Sequence, residues 1–362
     1  FLFKRPAGLE GSSLYAYYSV MYILWGMTYT IMDIPYWSMI PTLATTKEDR
    51  EKISVVPRIF ASLGGLTVTT FGIALVNKLG NGNQIKGFEY FALGIVIIFI
   101  ISTIVTCINV KEKTQVQVNN EKVNIKQAFN ILKQNDQLLV FIGIVLAYNL
   151  AMQLAGGAAI YYFKYVAGKE SLFSLYSFFK VAEIGGLMLF PVVTRKIGRQ
   201  QVFRVATILP MFGLITLFIS GLIAPQSILF ISVSAVLLNL GSGFLLGSTT
   251  VMLADIVDYG EYKLGSRNES IIFSAQTLLV KLASALSGWL IGVGLSLIGY
   301  VAGAAVQSNI TIIGIRVIMT IIPSIVALVM YVIYKSKYKI NGSFHDEILQ
   351  VIGSRKKVKV LN

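Results

Sequence analysis

Charge is scarce in this chain. Only 13% of its 362 residues are Asp, Glu, Lys or Arg, about half the roughly 25% of soluble domains. That shortage excludes a disordered chain, a charged coiled coil and an ordinary cytosolic enzyme, because too little polar side chain is left to cover a water-facing surface. Cysteine is nearly absent. Cys107 stands alone, which excludes an internal disulfide and a cysteine metal cluster. Histidine is as rare: His345 lies in the tail, so a histidine-built metal site is not expected. No P-loop, GxSxG, HExxH or EF-hand pattern occurs, so ATP-driven pumping and hydrolysis lack support and no enzyme is expected.

Hydrocarbon is abundant. Hydrophobic residues make up 55% of the chain, and mean hydropathy is +0.71. A helix needs roughly 20 mainly apolar residues to cross a bilayer. Nine such runs occur, near 13–41, 59–77, 88–109, 137–163, 171–193, 203–223, 227–253, 270–299 and 309–334. An outer-membrane barrel would show short alternating segments instead. The expected fold class is all-α, a polytopic membrane protein. The net charge of +14 sits mostly on alternate connections: 47–58, 110–136, 195–204, 263–267 and the stretch after 335. The positive-inside rule places these in the cytoplasm, with the C-terminus inside and the N-terminus outside. The charge is then a topological signal plus attraction to anionic lipid, and no nucleic-acid partner is needed.

The longest connection, 110–136, separates three spans from six. Many carriers are two six-helix halves joined by a long cytoplasmic loop. The chain therefore reads as spans four to twelve of a twelve-helix carrier, a fragment not expected to transport alone. Residues 1–109 would be the remainder of the N-terminal bundle and 110–136 the central cytoplasmic loop. Residues 137–335 would be a six-helix bundle and 336–362 a cytoplasmic tail. A natural nine-span protein is the alternative.

Ionisable groups at bilayer depth are costly and mark candidate sites. Asp33 lies in the first span beside Pro35, which removes a backbone donor and can open the helix. Thr30, Asp33 and Trp37 share a helix face. A carboxylate with a hydroxyl and freed carbonyls offers hard oxygens to a small cation. A carboxylate with an indole suits a sugar, the ring covering an apolar face while the acid accepts hydroxyl hydrogen bonds. Lys281 lies centrally in its span, with Gln276 and Thr277 about one turn before it, and needs a carboxylate partner, for which Asp33 is a candidate. Lys180 and Glu183, three apart, are either a local pair or part of an ion route. Arg316 and Arg58 read as interfacial. The acidic run Asp255, Asp258 and Glu261 interrupts an otherwise basic side. It is either a cytoplasmic gate bridging the loops 47–58 and 195–204 or a solvated loop. The paired glycines Gly64-Gly65, Gly156-Gly157 and Gly185-Gly186, with Gly241 and Gly243, read mostly as close-packing positions.

The stretch Tyr22-Ile23-Leu24-Trp25-Gly26-Met27-Thr28-Tyr29-Thr30-Ile31-Met32-Asp33-Ile34-Pro35 carries a specific likeness. So do Pro57-Arg58-x-Phe60-Ala61-Ser62-Leu63, Leu146-Ala147-Tyr148-Asn149, Ala254–Lys263 and Gln276-Thr277-x-x-Val280-Lys281. On these residues the chain resembles the glycoside–pentoside–hexuronide:cation symporter family of the major facilitator fold. The resemblance covers nearly the whole chain, starting just before the family's fourth helix. It implies uptake of a galactoside or a related glycoside, pentoside or hexuronide, coupled to Na⁺, Li⁺ or H⁺, across the cell's inner (plasma) membrane. No cofactor is implied beyond the coupling cation. Tyr29, Asp33, Trp37 and Arg58 would line the sugar pocket. Gln276, Thr277, Val280 and Lys281 would approach it from the other half. Thr30 would help hold the cation, and Lys281 would tie the two sites together. The family's cation-binding acids on its second helix have no counterpart here, an aromatic of the resembling sugar pocket is replaced by Leu246, and Lys180 and Glu183 are departures. The alternatives are a proton-coupled carrier of another small solute and a non-transporting membrane sugar sensor. The basic tail Arg355–Lys359 is a candidate contact for lipid or a cytoplasmic regulatory partner.

Overall fold

The computed structural model describes residues 2–4, 6, 8–38, 47–110, 133–265 and 269–361. Among them every regular element is helical. The chain divides into two units, Phe1–Glu121 and Lys122–Asn362.

The first unit holds α1 (Gly11–Ser38), α2 (Lys47–Leu79) and α3 (Gln84–Asn109). The turn between α2 and α3 is written in its residues. Asn81 and Gly82 take positive φ, 46° and 88°, as Asn and Gly tolerate. Asn83 then caps α3 by accepting from the Lys86 N–H at 3.2 Å, which satisfies an otherwise orphaned donor. Consecutive residues Ile97, Ile98, Phe99, Ile100 and Ile101 of α3 are all exposed within the unit. A helix apolar on every side belongs in lipid or among other helices, not in water.

The second unit holds α4 (Asp136–Tyr161), which continues through a wide π-type turn at Tyr162–Val166, then α5 (Ser171–Phe178) and α6 (Val181–Ile197). It continues with α7 (Arg199–Ile223), α8 (Ile228–Leu264), α9 (Glu269–Leu297), α10 (Asn309–Lys337) and α11 (Ser343–Leu361). Side-chain caps start α4 (Asn135 to the Leu138 N–H, 2.9 Å) and α10 (Ser308 to the Thr311 N–H, 3.2 Å). Gly265, at φ 72°, ends α8 in the left-handed conformation that suits a helix stop. The strongest helix pairs are α7 with α8 and α4 with α10; α9 packs on α4, and α6 on α8. The buried stripe of α9 recurs every four residues, Leu279, Ala283, Ser287, Ile291 and Leu295, the period of one helix face.

Among the described residues, seven helical segments are long and apolar enough to cross a membrane, Ser171–Ile197 (α5 with α6) counting as one, with a shorter apolar segment at Leu63–Leu79. The protein is a multi-pass, all-α membrane protein. Wherever their residues are described, the nine expected spans fall on helices, with two departures. The fifth is tightened by a turn between α5 and α6 at Phe179-Lys180, where the hydrogen bonds reach three residues back instead of four. The seventh does not stop near 253 but runs on in α8 for 37 residues to Leu264, so the acidic run 255–263 is helical instead of a loop.

One close crossing, of α6 with α8, explains part of the glycine pattern. A Cβ on Gly243 of α8 would stand 2.2 Å from the Glu183 carbonyl oxygen, and one on Gly186 of α6 would stand 2.4 Å from that of Leu240. Backbone meets backbone there, as small residues permit in membranes. Gly156, Gly185, Gly64 and Gly65 meet nothing within 4 Å. Gly243→Ala should therefore destabilise the unit by about 1–3 kcal/mol through overpacking, while Gly156→Ala should be near neutral. Survival of the monodisperse protein after a heat step checks this; equal loss for both variants would contradict the crossing.

Candidate functional site

In the first unit the expected residues line up along α1. Tyr22, Trp25 and Tyr29 form a ladder of rings, 5.6 Å and then 6.0 Å between centroids. All three are exposed within the unit. One turn on, the Tyr29 hydroxyl donates to the Asp33 carboxylate, and Asp33 is half-buried. Thr30 donates its hydroxyl proton to the Gly26 carbonyl at 2.8 Å. That bond uses the hydrogen and leaves the oxygen's remaining lone pair for an electropositive ligand. The helix thus offers an aromatic platform, a carboxylate held by a phenol, and a neighbouring hard oxygen. The side chains of Trp37 and Arg58 lie outside the described residues.

In the second unit Gln276, Thr277, Val280 and Lys281 follow one another on α9 at one-turn spacing. Lys281 is exposed within the unit, as are Thr277 and Val280, and Gln276 is half-buried. Lys281 lies two positions from both Leu279 and Ala283 of the buried stripe, which turns it roughly 200° away from the packed face. Thr277, Val280 and Lys281 therefore stand on a face that the unit's own core does not use, with Gln276 at its edge. The expected pairing of Asp33 with Lys281 joins residues of different units.

Glu183 does not turn to Lys180, which sits exposed at the tightened turn before α6. Its Oε2 accepts from the Ser242 hydroxyl at 3.2 Å, and the buried Tyr148 hydroxyl lies 3.1 Å from that same serine oxygen. A carboxylate, a serine and a tyrosine from α6, α8 and α4 so form a hydroxyl chain. The sequence held each group but not their meeting. Arg316, expected at the interface, is buried among its neighbours, with its guanidinium 5.9 Å from the Phe218 ring.

The acidic run is mostly occupied in structure-building contacts. Asp255 is buried at the end of the unit where α4 and α7 begin and α8 and α10 finish. Its carboxylate accepts from Arg199 Nη1 at 3.0 and 3.3 Å and from the Tyr338 hydroxyl at 3.4 Å. His345 Nε2 approaches it to 3.2 Å. Burial and the neighbouring carboxylate together push the Tyr338 phenol above its ordinary range. Asp136 pairs with Lys263 and accepts from the Tyr259 hydroxyl. Gln137 clasps the end of α10, donating to the Lys337 carbonyl and accepting from the Lys339 N–H. Asp258 and Glu261 are half-buried on the same helix. Arg355 donates to the Tyr262 and Glu261 carbonyls at 2.9 and 3.4 Å. The tail is thus a docked helix, with Ile348 and Ile352 buried in the main core. Within the basic segment 195–204 it is Arg199 that meets Asp255.

Residues 1–342 match the family described as MFS/sugar transport protein. The chain is 28% identical over 364 residues to the lactose permease of Lactobacillus delbrueckii subsp. bulgaricus, an alignment covering 96% of this chain and 57% of that protein. It is 27% identical over 361 residues to the raffinose carrier protein of Pediococcus pentosaceus, covering 96% and 56%. It is 28% identical over 288 residues to the isoprimeverose transporter of Lactiplantibacillus pentosus, covering 79% and 60%. The chain therefore spans little more than half the length of these curated relatives.

Proposed function

The chain belongs to the MFS/sugar transport protein family, a family of membrane transporters and not of enzymes, and from that premise we propose that it serves a secondary symporter that imports a sugar. The sugar is a galactoside or a related glycoside, pentoside or hexuronide, and the driving ion is Na⁺, Li⁺ or H⁺. The observation that carries this reading is the arrangement on α1: a ladder of rings leading to a carboxylate held by Tyr29, with the Thr30 oxygen beside it. Aromatic faces cover a pyranose ring, and a carboxylate binds its hydroxyls in charge-assisted hydrogen bonds.

In this mechanism Tyr29, Asp33, Trp37 and Arg58 hold the sugar from one half. Gln276, Thr277, Val280 and Lys281 close on it from the other. Cation binding at oxygens including that of Thr30 neutralises the acidic side of the site, and Lys281 couples the two ligands. Each ligand raises the other's affinity by the same factor, as linkage requires. The halves then rock about a midplane site. Asp255, Asp258 and Glu261 form part of the gate on the cytoplasmic side, where the basic connections and the C-terminus lie.

Uptake of a labelled galactoside by vesicles containing the full-length protein tests this. An imposed inward Na⁺ or proton gradient should accelerate uptake several-fold, and collapsing both should leave only slow equilibration. Sugar binding with no flux under either gradient would favour a sensor. Flux indifferent to both gradients would refute symport. One observation favours proton over sodium coupling: the Glu183–Ser242–Tyr148 hydroxyl chain is a path along which a proton can move. A response to the pH gradient alone would select that version.

A further inference from the structure

Between the beginning of α7 and the end of α10 the second unit encloses a cavity of about 560 Å³. The walls are graded. On α7, Arg204 lies near the helix start, with Ile208 one turn and Met211 two turns deeper. On α10, Lys335 lies near the helix end, with Tyr331 one turn and Leu328 two turns deeper. All six line the cavity. Spacings of four and seven residues keep each set on one helix face, so two parallel columns run from a cation at the bundle's end to apolar groups further in. None of the described lining residues is acidic. Gln200 and Gln201, in the first turn of α7, also line it. Their backbone N–H groups have no carbonyl one turn back within the helix, so the positive end of the α7 dipole faces the same mouth.

The flanks identify the surrounding medium. Phe212 and Ile215 on α7 and Ile325, Val329 and Val332 on α10 are all exposed large hydrophobics. Both helices are long and apolar enough to span a bilayer. The cavity therefore opens where hydrocarbon gives way to water: its cations stand at headgroup level and its apolar walls at the level of the first chain carbons. The floor is made rigid by stacked rings, Phe203 on Tyr334 at 3.7 Å and Tyr334 on Tyr338 at 5.4 Å.

We propose that this cavity is a binding site for an anionic phospholipid, with the phosphodiester between Arg204 and Lys335 and the first acyl carbons against Ile208, Met211 and Leu328. A basic pocket between spanning helices is the chemistry that retains such headgroups. The apolar columns are what separate a lipid from a free phosphate, which would use only the mouth. The proposal does not depend on which solute the protein carries.

The test is native mass spectrometry of the full-length protein in detergent, with dioleoyl phosphatidylglycerol or dioleoyl phosphatidylcholine added. The anionic lipid should be retained preferentially. R204Q/K335Q should lower its affinity roughly thirtyfold, the weight of two cations facing an anionic headgroup. R204K/K335R keeps both charges and should retain the preference, which separates charge recognition from a folding defect. K133Q/K196Q removes two exposed cations elsewhere on the unit and should leave the preference intact. Equal retention of both lipids overturns the proposal. So does a preference that survives R204Q/K335Q or falls equally in K133Q/K196Q. Displacement of the lipid by millimolar sn-glycerol 3-phosphate or inorganic phosphate also overturns it, because the site would then be one for a soluble phosphate.

Discussion

Asp33→Asn in the full-length protein is expected to lower cation-driven sugar uptake by about a hundredfold at unchanged membrane abundance. The size follows from the contacts the carboxylate makes. Hydrogen bonds to a charged group are worth about 1.5–3 kcal/mol each, and 2.7 kcal/mol is a factor of roughly one hundred in affinity. The amide keeps the shape but loses the charge that sugar hydroxyls and a cation both require. It also weakens the hold of Tyr29, whose hydroxyl donates to this side chain. Tyr29→Phe should therefore have a smaller effect of the same kind, about tenfold, because the acid remains but is no longer oriented. Thr30→Val should separate the two ligands. The Thr30 proton already goes to the Gly26 carbonyl, so the helix loses little, and what disappears is the oxygen offered to the cation. Its signature is a raised cation requirement with sugar specificity preserved. Undiminished, cation-stimulated uptake by Asp33→Asn would remove the carboxylate from the site.

The residues on which this rests were legible in the sequence for a physical reason. A charge in an apolar run is conspicuous, and neighbours at one-turn spacing share a face whatever the rest of the fold does. Asp33 with Thr30, and Lys281 with Thr277, were visible on those grounds, as were the spans themselves. Contacts that join distant helices were not visible. Glu183 reads as a partner for Lys180 because they are three apart. A tightened turn at Phe179-Lys180 instead leaves Glu183 to Ser242, 59 positions away. Arg199, Asp255 and His345 come from three separate helices. A lone histidine in a polar tail carries no signal of burial until the tail is seen to place Ile348 and Ile352 in the core. The extension of α8 past residue 253 was hidden because hydropathy reports where lipid ends, and a helix need not end there. The close crossing at Gly186 and Gly243 was only half legible: the glycines were evident, but Gly185 beside them touches nothing.

The second large effect is expected from Asp255→Ala. This carboxylate is 8% exposed and receives Arg199, Tyr338 and His345 from α7, from the residue after α10 and from the tail helix. Removing it leaves a guanidinium that is 46% exposed and can recover water, and a histidine that is 17% exposed and largely cannot. The cost should accordingly fall below the roughly 3–5 kcal/mol of a fully buried broken pair, at about 2–3 kcal/mol. Arg199→Ala should cost less, because Asp255 keeps Tyr338 and His345. The double variant should show non-additivity of about 1 kcal/mol or more, since both changes remove the same contact. The damage should also be local. His345 lies near the beginning of α11, and Arg355 fastens its other end to the α8 carbonyls. Loss of Asp255 should therefore let α11 lift before the spanning helices separate, as weakly held elements open first. Trypsin cleavage after Arg355 under native conditions reads this directly. It should accelerate by about tenfold or more in Asp255→Ala, following the population of the opened tail, and barely change in Gly156→Ala, where an added methyl meets nothing within 4 Å. Unaltered cleavage together with unaltered heat survival would mean that the tail is held by Ile348 and Ile352 alone.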